Sequence, residues 1–189
     1  MKDIIIFVIA LFLFPLIVYS QNGKKEADHD FSGKHHQNIS AELLGSHILA
    51  GINYDRRFKS NRMDGIGFRI GVGGVNVNGN IQGDNVDIGI VTFPLEFNHL
   101  IGQRRSSLVS GIGLLPVYAA VSANGPITNN DYVTGEGFGL VGGFLTFGYR
   151  LQPLKTGFMF QINWNPLILR GSGFNVGWVG ISLGMGFKG

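Results

Sequence analysis

The chain has 189 residues, with 15 basic and 12 acidic side chains and no cysteine, which excludes a disulfide scaffold, a Cys-ligated metal site and a thiol nucleophile. Its net charge of +3 is too small to indicate a nucleic-acid partner. The 30 glycines argue against a helical bundle, because each interior glycine costs a helix about 1 kcal/mol relative to alanine. The low charge and the 15 phenylalanines argue against a disordered chain.

Residues 1–20 have the pattern of a secretory signal peptide. Lys2 supplies the positive start, an apolar run follows from Ile4 to Val18, and Ser20 is the small residue before a cleavage site. A membrane anchor is the alternative, but the run is shorter than the roughly 20 residues that a spanning helix needs. We therefore predict export, with residues 21–38 as a polar N-terminal tail.

From Ile39 onward, large apolar residues alternate with small or polar ones, as between Val179 and Phe187. A period of two is the signal of β-strands. Turn signals divide this part into eight predicted strands, at 39–45, 48–58, 65–76, 88–101, 107–121, 138–151, 157–167 and 175–187. Gly142-Gly143 interrupts the sixth strand and predicts a bulge there.

Two kinds of eight-stranded barrel fit this pattern. A lipocalin-like barrel keeps its apolar face inside and a charged face outside, whereas a membrane barrel reverses the two. Here the second face carries Gly, Ser, Asn and a few ionisable residues, which suit a narrow lumen. The sequence therefore predicts that residues 39–189 form an all-β, eight-stranded antiparallel up-and-down transmembrane β-barrel.

The links between the strands predict an orientation. The links at 59–64, 102–106 and 152–156 are short and basic, whereas those at 77–87 and 122–137 are longer, acidic and rich in Asn and Gly. Short periplasmic turns and longer extracellular loops are typical of outer-membrane barrels. We therefore expect the short links and both chain ends on the periplasmic side.

Three segments resemble a known family: 41–45 (AELLG), 51–58 (GINYDRRF) and 67–71 (GFRIG). Together they are similar to the small eight-stranded outer-membrane β-barrel proteins of Gram-negative bacteria, of the OmpX/OmpW-like type. The resemblance covers about residues 39–187 and implies an outer-membrane location and contact with membrane lipid. It also implies that the last strand, ending near Phe187, is the signal recognised by the barrel-assembly machinery, although Lys188 and Gly189 follow the aromatic residue.

Following the alternation, six charged side chains should point into the lumen: Glu42, Asp55, Arg57, Arg69, Glu96 and Arg150. Buried charges need partners, and Arg69 and Glu96 lie on neighbouring predicted strands. We interpret the set as a salt-bridged plug; an ion or proton path is the alternative.

No motif predicts catalysis. The glycine-rich segments lack the strand–helix context of a phosphate loop, no G-x-S-x-G elbow is present, and the histidines of the tail are an incidental cluster. We predict no catalytic, cofactor-binding or metal site, and we expect His47 at a loop tip. The expected role is structural or surface interaction with an unidentified partner; a narrow conduit for small or hydrophobic solutes and a lipid-modifying enzyme are the alternatives.

Overall fold

The computed structural model describes residues 35–81, 84–102, 105–124, 133–171, 173–176 and 178–189. The predicted signal peptide and the tail as far as residue 34 lie outside these ranges. No helix within them is long and apolar enough to cross a membrane. The strands are β1 (His35–Leu44), β2 (Ala50–Ser60), β3 (Gly65–Ile81), β4 (Asp84–Thr92), β5 (Leu95–Ile101), β6 (Ser106–Asn124), β7 (Val133–Leu151), β8 (Gly157–Trp164), β9 (Leu167–Leu169), β10 (Gly173–Asn175) and β11 (Val179–Lys188).

The strands pair antiparallel and close into a ring. β1 pairs with β2, β2 with β3, and β3 with both β4 and β5, which in turn pair with β6. β6 pairs with β7, β7 with β8 and β9, and β8 with β11. β11 returns to β1 from Lys188 opposite His36 to Gly180 opposite Leu44, and this pairing closes the barrel.

The eight walls contain ten of the eleven strands, because prolines divide two of the walls; the short strand β10 pairs with β9 alone among the described strands and is not part of a wall. Pro94 separates β4 from β5, and Pro166 separates β8 from β9. Proline has no N–H to give to the sheet, so it interrupts the hydrogen-bond ladder without ending the wall. β4 and β5 pair with β3 in one unbroken register, from Ile81 opposite Asp84 to Gly65 opposite Leu100. The predicted eight-stranded antiparallel barrel is therefore confirmed.

The structure corrects four predicted boundaries. The eighth predicted strand, 175–187, begins only at Val179, because Asn175 belongs to the short strand β10 that pairs with β9. β1 begins at His35, inside the segment 21–38 assigned to the tail, because its inward side chains are polar and give no hydrophobic period. The strands extend into both predicted loops, 77–87 and 122–137: β3 runs to Ile81, β4 starts at Asp84, β6 runs to Asn124 and β7 starts at Val133. Their Asn and Gly residues have low strand propensity, yet pairing between the strands holds them extended.

The bulge predicted beside Gly142-Gly143 is present. Leu115 pairs with Gly142 and Pro116 with Leu140, which leaves Val141 as the extra residue on β7. Above it, Phe138 and Leu140 face outward and the alternating glycines face inward. The bulge thus changes which residues of β7 point into the barrel.

Burial in the barrel is reversed relative to a water-soluble protein. Arg57 and Arg150 are fully buried, whereas Phe97 and Phe158 are 63% and 67% exposed. Exposed apolar side chains encircle the wall, and polar ones fill the interior. Outward aromatic rings also lie next to one another; the ring centroids of Phe58 and Phe97, for example, are 6.3 Å apart.

Candidate functional site

The structure places all six predicted lumen charges inside the barrel, each at most 3% exposed: Glu42, Asp55, Arg57, Arg69, Glu96 and Arg150. The three carboxylates and three guanidinium groups balance in formal charge. They come from β1, β2, β3, β5 and β7, because inward positions of neighbouring strands meet across a narrow interior.

Asp55 is the centre of this network. Its carboxylate accepts hydrogen bonds from Arg57 Nη2 at 2.7 Å, from Arg150 Nη1 and Nη2 at 3.1 and 3.0 Å, and from Asn98 Nδ2 at 3.0 Å. The contact with Arg150 uses two parallel N–H groups, the strong bidentate geometry. Since these groups come from β2, β5 and β7, one carboxylate ties together distant parts of the ring.

Arg69 and Glu96 lie directly opposite each other on β3 and β5, as predicted, and Asp55 lies opposite Arg69 on the other side. The Arg69 Nη1 to Glu96 Oε2 distance is 3.6 Å, a salt bridge without a hydrogen bond. Arg69 Nη2 donates instead to Gln161 Oε1 at 2.8 Å, which also accepts from Arg150 Nε at 2.7 Å. The Arg69–Glu96 contact is therefore longer than the contacts of Asp55 with Arg57 and Arg150, and unlike them it includes no hydrogen bond.

Glu42 forms a second layer toward the β1–β2 link. It accepts hydrogen bonds from Ser46 Oγ at 2.6 Å, Asn53 Nδ2 at 2.7 Å and Asn163 Nδ2 at 3.0 Å. Asn163 in turn accepts from Gln161 Nε2 at 2.8 Å, so the two layers are joined through β8.

His47 lies at the centre of the β1–β2 link, the loop position that was predicted, but its side chain is buried. The link between β1 and β2 folds into the barrel mouth, and the His47 side chain is buried. Nδ1 lies 3.2 Å from Thr92 Oγ1, Nε2 lies 3.2 Å from Asn53 Oδ1, and Nε2 is 3.9 Å from Glu42 Oε2. Burial lowers the pKa of the imidazole below its usual value, which favours the neutral ring at pH 7.

Backbone geometry explains the inward fold of this link. Leu44 and Gly45 have φ angles of 59° and 63°, the left-handed conformation that reverses the chain sharply. A Cβ added at Gly51 or Gly73 would lie 2.4 Å from the imidazole. The two glycines thus leave the space that the His47 ring occupies. This space becomes apparent only once the pairing of the strands is known.

An apolar cluster covers the polar network on the same side. Leu115, Val117, Phe144 and Leu167 are buried together, with Trp178 packed against them. A Cβ at Gly113 would come within 2.3 Å of the Phe144 ring, so this glycine makes room for it. The apolar residues on both faces of the fifth predicted strand left this cluster undetected in the sequence.

At the opposite end, the buried Gln152 side chain donates to the Met63 carbonyl at 3.0 Å and to Ser107 Oγ at 3.4 Å. Phe187 lies near this end on β11, opposite Gln37 of β1, and is half-buried. Its role as an assembly signal stays a prediction. Within the described residues, buried polar side chains thus lie at successive levels along the lumen.

The arrangement offers no nucleophile–base pair at Ser46, Glu42 and His47. A serine nucleophile gives its proton to a histidine that a carboxylate orients. Here the Ser46 hydroxyl donates to Glu42, and His47 faces Thr92 and Asn53. All three residues are 1% exposed, so a substrate has no access to them.

Comparison with known proteins gave no matching family model and no matching curated protein. One similar solved structure is Ail, the attachment invasion locus protein of Yersinia pestis, in complex with the heparin analogue sucrose octasulfate. The sequence identity is 10%, the match covers 82% of this chain and 97% of Ail, and the TM-score is 0.47. CarO of Acinetobacter baumannii matches at 13% identity, 80% and 96% coverage and a TM-score of 0.40. Neisserial surface protein A matches at 9% identity, 83% and 96% coverage and a TM-score of 0.32. These are small barrel proteins of the Gram-negative outer membrane, and the likeness concerns the fold alone.

Proposed function

We propose that this chain is an exported outer-membrane protein whose barrel is closed to solutes and whose role is structural or interactive at the cell surface. The reversed burial carries this proposal. A barrel in water would expose its charges and cover its phenylalanines, whereas this one buries six charges in its lumen and exposes an apolar belt. Exposed apolar surface costs roughly 25 cal/mol per Å² in water, so lipid is the solvent that suits the wall.

The filled lumen favours a closed barrel over a conduit. Asp55, Arg57 and Arg150 occupy the centre, Gln152 blocks one end, and His47 with the apolar cluster blocks the other. Opening a path would separate buried ion pairs, and removing one partner of such a pair costs about 3–5 kcal/mol. We assign no catalytic step to the chain.

The orientation follows from the ends of the strands. Both ends of the described chain and the links after β2, β5 and β7 lie on one side, which we assign to the periplasm. The strands β3, β4, β6 and β7 extend beyond the ring on the other side, toward the cell exterior. Contact with the barrel-assembly machinery through the strand that ends near Phe187 is part of the same proposal.

Reconstitution of the mature chain in lipid vesicles tests the closed barrel. We expect faster gel migration before heating than after it, as for a compact barrel that resists detergent, and no stepwise conductance in planar bilayers. Reproducible conductance steps from the native chain would refute the closed lumen and support the conduit. Failure to enter vesicles at all would refute the membrane barrel.

A further inference from the structure

Beyond the ring, four strands continue as a single sheet, which we call the extension: residues 75–81, 84–90, 119–124 and 133–137. β2 pairs with β3 only as far as Gly74, and the residues of the extension pair only with one another. The extension therefore rises above the rim of the barrel.

The polarity of the outer face changes where the extension begins. Along the rim, the outward residues Val91, Tyr118 and Phe138 are apolar or aromatic, and Phe138 is 70% exposed. In the rows above, the outward residues are polar or small: Asn76, Asn78, Asp87, Gly89, Ala120, Ser122, Thr134 and Glu136. A change from apolar to polar across one row marks the level of the lipid headgroups.

The first polar row contains a groove. Asn76 pairs with Gly89, Gly89 with Ala120, and Ala120 with Glu136, so two small residues lie between two polar ones. Together with the row above, they line an open surface depression of about 400 Å³. The groove runs across the strands, which tilt by about 35–45° in outer-membrane barrels, so it crosses the headgroup level obliquely.

The chemistry of the groove selects its ligand. Its walls offer amide, hydroxyl and carboxylate groups, and the Tyr118 hydroxyl donates to the Glu136 carboxylate at its membrane edge. The segments 74–81, 84–92, 117–124 and 133–140 contain no Lys, Arg or His, so nothing there attracts a phosphate or sulfate. Hydroxyl-rich, uncharged groups satisfy such donors and acceptors.

We propose that this groove binds the sugar headgroup of a neutral glycolipid in the outer leaflet. The position at the headgroup level and the aromatic edge below match a ligand with sugar hydroxyls above and acyl chains beneath. The inference rests on the proposed membrane location, because a soluble barrel would have no headgroups at this row.

Methyl NMR of the full mature chain in phosphatidylcholine nanodiscs tests the site, with digalactosyl diacylglycerol as the probe. We expect a saturable shift of the Ala120 methyl resonance, and no shift for Ala119, which faces the opposite side of β6. Free digalactose in the buffer is the second arm. A shift with the glycolipid alone identifies the headgroup in the membrane as the source, and an equal shift with both identifies a soluble sugar.

Two variants with matched bulk separate binding from folding. Gly89→Val fills the groove floor, and a Cβ there meets nothing closer than the Ala120 carbonyl at 4.0 Å. Gly137→Val adds the same bulk to the inner face, where no atom lies within 4 Å. We expect Gly89→Val to weaken binding about tenfold or more and Gly137→Val to leave it unchanged.

The proposed site would be refuted if the glycolipid left the Ala120 methyl resonance unshifted. It would also be refuted if the shift persisted in the Gly89→Val variant. A shift produced by a lysine-rich peptide and suppressed by salt would refute it as well, because it would assign the carboxylates to a cationic ligand. Nanodisc insertion with heat-dependent migration is recorded on the same samples. A failed groove is then distinguishable from a failed membrane barrel.

Discussion

Replacing Asp55 by asparagine should destabilise the barrel more than any other single neutralisation in the lumen. The substitution keeps the shape but removes the charge that faces Arg57 at 2.7 Å, Arg150 at 3.0 Å and Arg69 at 3.8 Å. Three guanidinium groups would then share two carboxylates, and removing one partner of a buried pair costs about 3–5 kcal/mol. Glu96→Gln should cost only about 1–3 kcal/mol, because Glu96 makes a 3.6 Å contact and no hydrogen bond.

The assay is urea unfolding in lipid vesicles, followed by the fluorescence of the two tryptophans. Adding Arg150→Met to Asp55→Asn, or Arg69→Met to Glu96→Gln, should recover part of each loss, with a coupling of about 0.5–3 kcal/mol. Asp64→Asn is the control, since the Arg62–Asp64 pair in the β2–β3 turn is partly exposed and exposed pairs contribute at most about 1 kcal/mol. A coupling energy of zero in both double-mutant cycles would refute the network as described. So would a larger loss of unfolding free energy for Glu96→Gln than for Asp55→Asn.

Three further predictions address the wall, the orientation and pH. Leu183→Arg on the lipid face should cost about 2–4 kcal/mol in the same unfolding assay if the site lies near the midplane; an unchanged unfolding curve would mean that this face does not meet lipid. Protease applied to intact cells should cut the chain between β6 and β7 and spare the link at 102–106, and the reverse pattern would invert the orientation. Because the pKa of His47 is lowered in the folded state, its contribution to stability is present above about pH 6.5 and lost as the pH falls below that value. His47→Gln should therefore flatten the decline of the unfolding free energy between neutral and mildly acidic pH, and an identical slope would exclude His47 as its source.

Alternation made much of this structure predictable from the sequence. Because side chains of a strand alternate strictly, Asp55, Arg69 and Glu96 had to share one face, and neighbouring strands brought them together. The barrel type followed from which face held the large residues. These inferences need only local sequence and the closure of the ring.

Features that depend on contacts between distant strands were not predictable. His47 is buried because Gly51 and Gly73 leave space for it, and neither glycine signals that by itself. The Asn- and Gly-rich ends of β3 and β7 have weak intrinsic strand preference, so only their pairing with β4 and β6 extends them. The amides at Asn98 and Gln161 shared the inward face of the predicted charges, and weighing polar uncharged residues equally would have found them.

The closing contact between β1 and β11 means that the ring has no intrinsic beginning. His35 and Gly189 exchange backbone hydrogen bonds of 2.7 and 3.0 Å, so the two ends of the barrel are already neighbours. A circular permutant that joins them and opens the chain between β3 and β4 would keep every wall contact while moving Phe187 into the interior of the sequence. Such a chain would separate two properties that the native order combines, namely the stability of the folded barrel and the assembly signal that we propose for its last strand.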